Sequence, residues 1–227
     1  MRIENIRKEY EGKVVLDIET LEFEKGRIYV IVGANGSGKS TLLRILGGTL
    51  KTDKFKDKIV IDFDGQTHCF MPQKNYAFKM RTDKNIMLSG HKTEEKKAAA
   101  EELMKELKID HLRREKAHKL SGGETARMAL CRTILSGADV LLLDEPTAAM
   151  DIESTIIAED VIRRYRDEKG ATIIMVTHSI NQARRLADVV VFMKDGKIVE
   201  QGEKLKVLDN PETSDMKEFL EFFSSEI

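Results

Sequence analysis

The chain has 227 residues, of which 41% are hydrophobic: enough for one well-filled α/β domain, too few for two of ordinary size, and inconsistent with wholesale disorder. Charged residues make up 34%, yet 38 Lys and Arg balance 39 Asp and Glu, so the net charge of −1 excludes a global field for nucleic acid or an anionic membrane. Charges recur too early for a signal peptide, and no apolar run approaches the ~20 residues that span a bilayer, so a soluble chain is expected whose membrane role, if any, comes through a partner.

In chain order, residues 1–33 read as strands. Segment 14–23 carries alternating and clustered apolar residues, and 27–32 is a short apolar run ending at a glycine. A glycine-rich loop follows, then a helix through Leu42, Leu43 and Leu46 that Gly47 and Gly48 stop. Segments 59–63 and 67–70 read as a strand pair joined at Asp64-Gly65, a tight-turn signal. Residues 82–119 are rich in Lys, Glu, Ala and Leu, which predicts a small helical subdomain inserted into the core. Strands are then expected at 140–143, 172–176 and 189–193. Between the first two, Ile152, Ile156, Val161, Ile162 and Tyr165 recur at helical spacing. Strands alternating with helices imply crossover units and a parallel sheet. Asp195-Gly196 closes a hairpin, and a tail helix is expected around 217–223. Cys69 and Cys131 sit in apolar stretches and read as core thiols of a reducing compartment.

The strongest signal is Gly33-Ala34-Asn35-Gly36-Ser37-Gly38-Lys39-Ser40, followed by Thr41, which fits the G-x-x-x-x-G-K-[ST] pattern between a strand and a helix. Glycines let backbone N–H groups turn inward as a nest for phosphate oxygens, and the helix start adds its positive dipole end. Lys39 would meet the β- and γ-phosphates, and the Ser40 hydroxyl would ligate Mg²⁺. Further on, the apolar run 140–143 ends in Asp144-Glu145. At the carboxyl end of a parallel strand, Asp144 would hold Mg²⁺ and Glu145 would polarise the attacking water.

Leu120-Ser121-Gly122-Gly123-Glu124, shortly before that acidic strand, resembles the LSGGQ signature of ABC (ATP-binding cassette) ATPases, and 125–135 is similar to the family's signature helix. Ser-x-x-Glu before an apolar run is also a capping box, and both readings hold together. The resemblance covers about residues 2–221. It implies a P-loop NTPase core of α/β class with a mostly parallel sheet, an N-terminal antiparallel β subdomain and an inserted helical subdomain. The core would take about 1–75 and 137–227, and the helical subdomain about 76–136.

The resemblance also implies roles. Tyr10 lies where the family stacks an aromatic on adenine. Gln73 resembles the Q-loop glutamine that meets Mg²⁺ and water. Asp151 looks like the end of the D-loop that reaches across a dimer, and His178 looks like the switch histidine on the γ-phosphate. Ser121, Gly122, Gly123 and Glu124 would face the ATP of a second, identical subunit, giving a head-to-tail dimer around two ATPs. The other histidines, 68, 91, 111 and 118, match nothing and read as ordinary packing or surface residues. Two departures stand out: Glu124 replaces the usual glutamine, and Ala148-Ala149-Met150-Asp151 lacks the usual D-loop serine, which puts the strength of contacts across the dimer in doubt.

The implied protein is an ATP-hydrolysing subunit with ATP and Mg²⁺ as cofactors, peripheral on the cytoplasmic face of the cell membrane, partnered by a transmembrane permease and not by nucleic acid. Segment 76–86, with aromatics and basic residues, is the candidate docking surface. The tail, 202–213 with Phe219-Leu220, resembles the ending of small bacterial importers of polar amino acids, phosphate or tungstate-type oxyanions. An exporter subunit would carry nearly the same core motifs. A soluble ABC ATPase of DNA or ribosomes usually has a second cassette or a long coiled coil, and intact Lys39, Glu145 and His178 argue against a regulator without turnover.

Overall fold

The computed structural model describes residues 1–53, 59–89 and 93–224, with side chains through 222; His91 lies outside the described residues. β1 (Arg2–Tyr10) and β2 (Lys13–Glu22) form an antiparallel hairpin. Its two turn residues, Glu11 and Gly12, take φ of 50° and 79°, the geometry that lets a two-residue loop follow the strand twist. Then come β3 (Ile28–Val32), α1 (Lys39–Leu46), β4 (Val60–Asp62) and β5 (His68–Met71). A helical stretch follows with α2 (Thr82–Ile86), α3 (Glu94–Glu106) and α4 (Gly122–Ile134). The chain returns through β6 (Val140–Asp144), α5 (Ile152–Lys169), β7 (Thr172–Val176), α6 (Ile180–Leu186) and β8 (Val189–Lys194). It ends with β9 (Lys197–Glu203), α7 (Lys204–Asp209), for which the sequence carried no expectation, and α8 (Ser214–Ser224).

Two sheets result. A three-stranded antiparallel sheet runs β2-β1-β4, and a six-stranded sheet runs β5-β6-β7-β3-β8-β9, parallel except for the last pair. The central strands β3, β6 and β7 are buried along their whole length and mostly apolar because both of their faces are covered, the mark of a parallel sheet with crossover helices. Ile28, Val30 and Val32 of β3 face the core shared with α3, α4 and α5. Tyr29 and Ile31 face the core shared with α1 and the small sheet. The period-2 alternation of a strand thus feeds two cores at once.

Two sequence expectations need correction. Segments 59–63 and 67–70 do not pair with each other. The turn between them exists, with Asp64 and Gly65 at φ of 54° and 71° and the Gln66 N–H donating to the Phe63 carbonyl at 3.0 Å. Yet β4 pairs with β1 and β5 pairs with β6, in different sheets. The Thr67 N–H and hydroxyl both donate to the Asp139 carboxylate, at 3.0 and 2.7 Å, which anchors the segment beside β6. A local turn sets a chain reversal, not the strand partner.

The stripe assigned to α5 is also divided. Val161 and Ile162 are buried and the half-buried Tyr165 donates to the Ala138 carbonyl at 2.7 Å, but Ile152 is 83% and Ile156 48% exposed. At 100° per residue these two isoleucines lie opposite the buried Ser154, Ala158 and Val161. The helix carries two apolar stripes, and only packing selects which one enters the core.

Candidate active site

The loop between β3 and α1 folds as a nest because of two glycines. A Cβ on Gly33 would lie 2.1 Å from the Met193 carbonyl oxygen, and one on Gly38 would lie 2.7 Å from that of Val15. Both have positive φ, 149° and 101°, and Gly38 caps the N-terminus of α1. Lys39 is 5% exposed, and its ammonium curls back to donate to the carbonyls of Gly33 (2.8 Å) and Ala34 (2.9 Å) and to Ser37 Oγ (3.4 Å). Burial lowers the Lys39 pKa, and the nearby charges of Glu145 and Asp144 oppose that shift. A cation held this way against loop oxygens can exchange them for phosphate oxygens.

Asp144 ends β6 and Glu145 follows it, and β6 lies two strands from β3 with β7 between them. Asp144 is 3% exposed and accepts a hydrogen bond from the Ser40 hydroxyl at 2.9 Å. Burial raises its pKa, with the Ser40 hydrogen bond pulling the other way. Glu145 adopts φ of 49°, a left-handed conformation that costs a β-carbon residue about 1 kcal/mol or more and tends to persist at functional sites. Both of its carboxylate oxygens are engaged: Oε2 accepts from Gln73 Nε2 at 2.9 Å, and Oε1 contacts His178 Nε2.

These groups open onto one cleft of about 330 Å³. It gathers Tyr10, Asn35, Gly36, Gly38, Lys39, Ser40, Thr41, Gln73, Glu145 and His178, with Asp144 beneath Ser40, and Gly33 and Ser37 within the loop wall. Val15 also lines it and was not anticipated, since a valine in a strand carries no chemical signal. Tyr10 is 45% exposed at the end of β1, with Lys8 Nζ 5.3 Å from its ring centroid. That leaves a π-face available to a flat partner.

The donor set fits Mg²⁺. Ser40 and Asp144 present hard oxygens, and Lys39 acts on the nearly buried carboxylate through its charge rather than a hydrogen bond. Among the described residues no group of three or more His, Cys, Asp or Glu forms a metal cage. A magnesium site built on one carboxylate and completed by substrate phosphates and water matches how this ion usually binds.

Five anticipated residues are not brought to this cleft. Ser121, Gly122, Gly123 and Glu124 open α4, and Asp151 caps α5. Ser121 and Glu124 form a reciprocal capping box: Glu124 accepts from the Ser121 N–H at 2.7 Å, and Ser121 Oγ accepts from the Glu124 N–H at 3.3 Å. Asp151 accepts from the Ser154 N–H at 2.7 Å, a bond that holds its carboxyl below the usual range. A Cβ on Gly123 would lie 2.9 Å from the Ala149 carbonyl oxygen, so the start of α4 rests directly on the 147–151 turn.

Comparisons with known proteins identify the family. The model of the ABC transporter family matches residues 16–148. The tungstate uptake system ATP-binding protein TupC of Peptoclostridium acidaminophilum is 40% identical, over 87% of this chain and 96% of its own. The arginine transport ATP-binding protein ArtP of Haemophilus influenzae is 31% identical, over 97% and 98%. Among solved structures, the ADP conformation of an ATP-binding cassette of an ABC transporter is similar with a TM-score of 0.73 and 25% identity, over 95% of this chain and 97% of that one.

Proposed function

The chain belongs to the ABC transporter family as an ATP-binding, ATP-hydrolysing subunit, and from that premise we propose a role for each group in the cleft. The loop amides and Lys39 hold the β- and γ-phosphates. Tyr10 stacks on adenine, a contact worth about 1–3 kcal/mol where bases meet aromatics. Ser40, Asp144 and Gln73 hold Mg²⁺, which when bound offsets charge on the phosphate oxygens. Glu145 takes a proton from the attacking water, and His178 contacts the γ-phosphate. The observation that carries this reading is the convergence of Gln73 and His178 on the two oxygens of Glu145, in the same cleft as Lys39 and Ser40. Each oxygen keeps a second lone pair, so a water can bond to the carboxylate beside these partners.

The residues off the cleft suggest the rest. Ser121, Gly122, Gly123, Glu124 and Asp151 serve the ATP of a second copy arranged head to tail. We treat 76–136 as a subdomain that relays dimer closure to a membrane permease, with the core at 1–75 and 137–227. Within the docking segment 76–86, Tyr76 and Phe78 are 64% and 42% exposed and meet edge to face at 4.8 Å. Arg132 of α4 steadies them from below, donating to the Tyr76 carbonyl at 3.2 Å. No helix among the described residues is long and apolar enough to cross a membrane, so this surface would seat the chain on the inner face of one. The names of the relatives and the tail support import, with tungstate-type oxyanions and polar amino acids as the first cargoes to test.

Phosphate release by purified protein tests the site. Glu145→Gln is expected to slow turnover on the order of 10²- to 10⁴-fold while still binding ATP; turnover equal to wild type would sink the base assignment. Affinity purification of tagged Glu145→Gln with ATP from solubilised host membranes tests the partner. A polytopic membrane protein in near-equal amount is expected, and recovery as a free soluble dimer would overturn the transporter role.

A further inference from the structure

Behind the turns that carry Glu145 and His178 lies a buried polar network that none of these roles uses. Gln182 is 2% exposed and sits in the first turn of α6, four residues after His178. Its Nε2 donates to the Thr147 hydroxyl at 2.9 Å and to Glu159 Oε1 at 3.0 Å. Thr147 follows Glu145 by two residues in the turn that leaves β6, and Glu159 lies in α5, two turns beyond its cap Asp151. Glu159 is also 2% exposed and is gripped by Arg185, Nε to Oε2 and a terminal nitrogen to Oε1, both at 2.6 Å.

This arrangement is more demanding than burial alone requires. A buried carboxylate needs a cation, and Arg185 supplies one in a two-point fork that also fixes the carboxylate plane. The orientation of Glu159 then aims the Gln182 amide. Its two hydrogens reach acceptors on two different elements, so both bonds form only when the β6 exit turn, α5 and α6 stand at set separations. The same three elements carry Glu145, Asp151 and His178.

We propose that Gln182, clamped by Glu159 and Arg185, is a positioning residue that holds the Glu145 turn and the His178 loop as one unit and ties both to α5. Displacement of Asp151 by a second copy then reaches the base and the histidine through α5 and this amide. The inference rests on the assignment of Glu145 and His178 to the reaction.

Steady-state phosphate release over a range of ATP concentrations tests it, with melting temperatures recorded for each full-length variant. Gln182→Met keeps the volume and removes both donors. It is expected to lower kcat about 10- to 100-fold, the effect of a small misplacement at a distance, with KM for ATP changed less than about twofold because the phosphate loop is untouched. Thr147→Ser keeps the hydroxyl that accepts from Gln182 and is expected to hold kcat near wild type, where Thr147→Val loses it. Wild-type kcat in Gln182→Met overturns the proposal, as does a Thr147→Ser variant that melts like wild type yet loses kcat as fully as Thr147→Val. Should Gln182→Met fail to fold, Thr147→Val decides: it removes one acceptor, and unchanged kcat overturns the proposal while a selective kcat loss supports it. Glu145→Gln run alongside separates the two assignments: wild-type turnover in that variant defeats the base role, whereas lost turnover there with wild-type kcat in Gln182→Met defeats the positioning role alone.

Discussion

Asp144 carries a charge that the surrounding structure opposes. It is 3% exposed, and burial lifts its pKa above the ordinary carboxylate value. The folded chain therefore binds this proton more tightly than the unfolded chain does. Its contribution to stability is complete below the unfolded pKa and is lost as pH rises through the folded one. Asp144→Asn removes the charge. It is expected to raise the melting temperature of protein free of nucleotide and Mg²⁺, by about 2–4 °C for each kcal/mol relieved. The gain should widen as pH rises through that window, while ATP turnover is lost. Calorimetry from acid to neutral pH checks this, and equal melting points at neutral pH would show that the carboxylate is no burden. Gly33 presents the opposite case, where function and fold ask for the same residue: with Met193 at 2.1 Å from an added Cβ, Gly33→Ala is expected to cost both stability and ATP binding, read by thermal melting and nucleotide titration.

At the level of elements, the start of α4 combines two tasks that mutation can separate. Ser121 caps the helix, and α3 has an equivalent cap in Thr93, whose side chain accepts from the Lys96 N–H at 3.2 Å. Loss of either cap removes about 1 kcal/mol from the unfolding free energy. Thr93→Ala is expected to do only that. Ser121→Ala is expected to lose the same stability and, in addition, turnover, because its hydroxyl is proposed to face the nucleotide of a second copy. Chemical denaturation beside phosphate release compares the two. Equal turnover in both variants would reduce Ser121 to a cap. The role of α5 was only half legible in the same way: its spacing announced a helix, but of its apolar residues Val161 and Ile162 went inward and Ile152 and Ile156 outward.

For the whole molecule, those two isoleucines bear on assembly. Ile152 directly follows Asp151, so a second copy that meets Asp151 would cover it. Tagged Glu145→Gln with ATP and Mg²⁺ is expected to run as a dimer in light scattering and to return to monomer when nucleotide is removed. Adding Ile152→Glu should weaken that dimer about tenfold, equivalent to ~1.4 kcal/mol, and leave ATP affinity and melting temperature unchanged. An unaltered dimer would place the α5 start outside the contact.

Residue order alone was sufficient for the features that depend on contiguous chain. The phosphate nest needs glycines at 33 and 38 within one short loop, the central strands announce themselves by unbroken apolar runs, and the Asp195-Gly196 and Asp64-Gly65 turns are set by residues that tolerate positive φ. Tertiary structure decided what depends on partners far away in sequence. It sent β4 and β5 to different sheets, chose which face of α5 to bury, and brought Gln73 to Glu145 across 72 residues. It also joined Thr147 to Gln182 across 35. A turn or a helix is stabilised by its own neighbours and can be read from them. A strand partner, a buried face or a shared hydrogen bond is selected by competition among distant segments for the same core and the same donors, and that competition is resolved only in the folded chain.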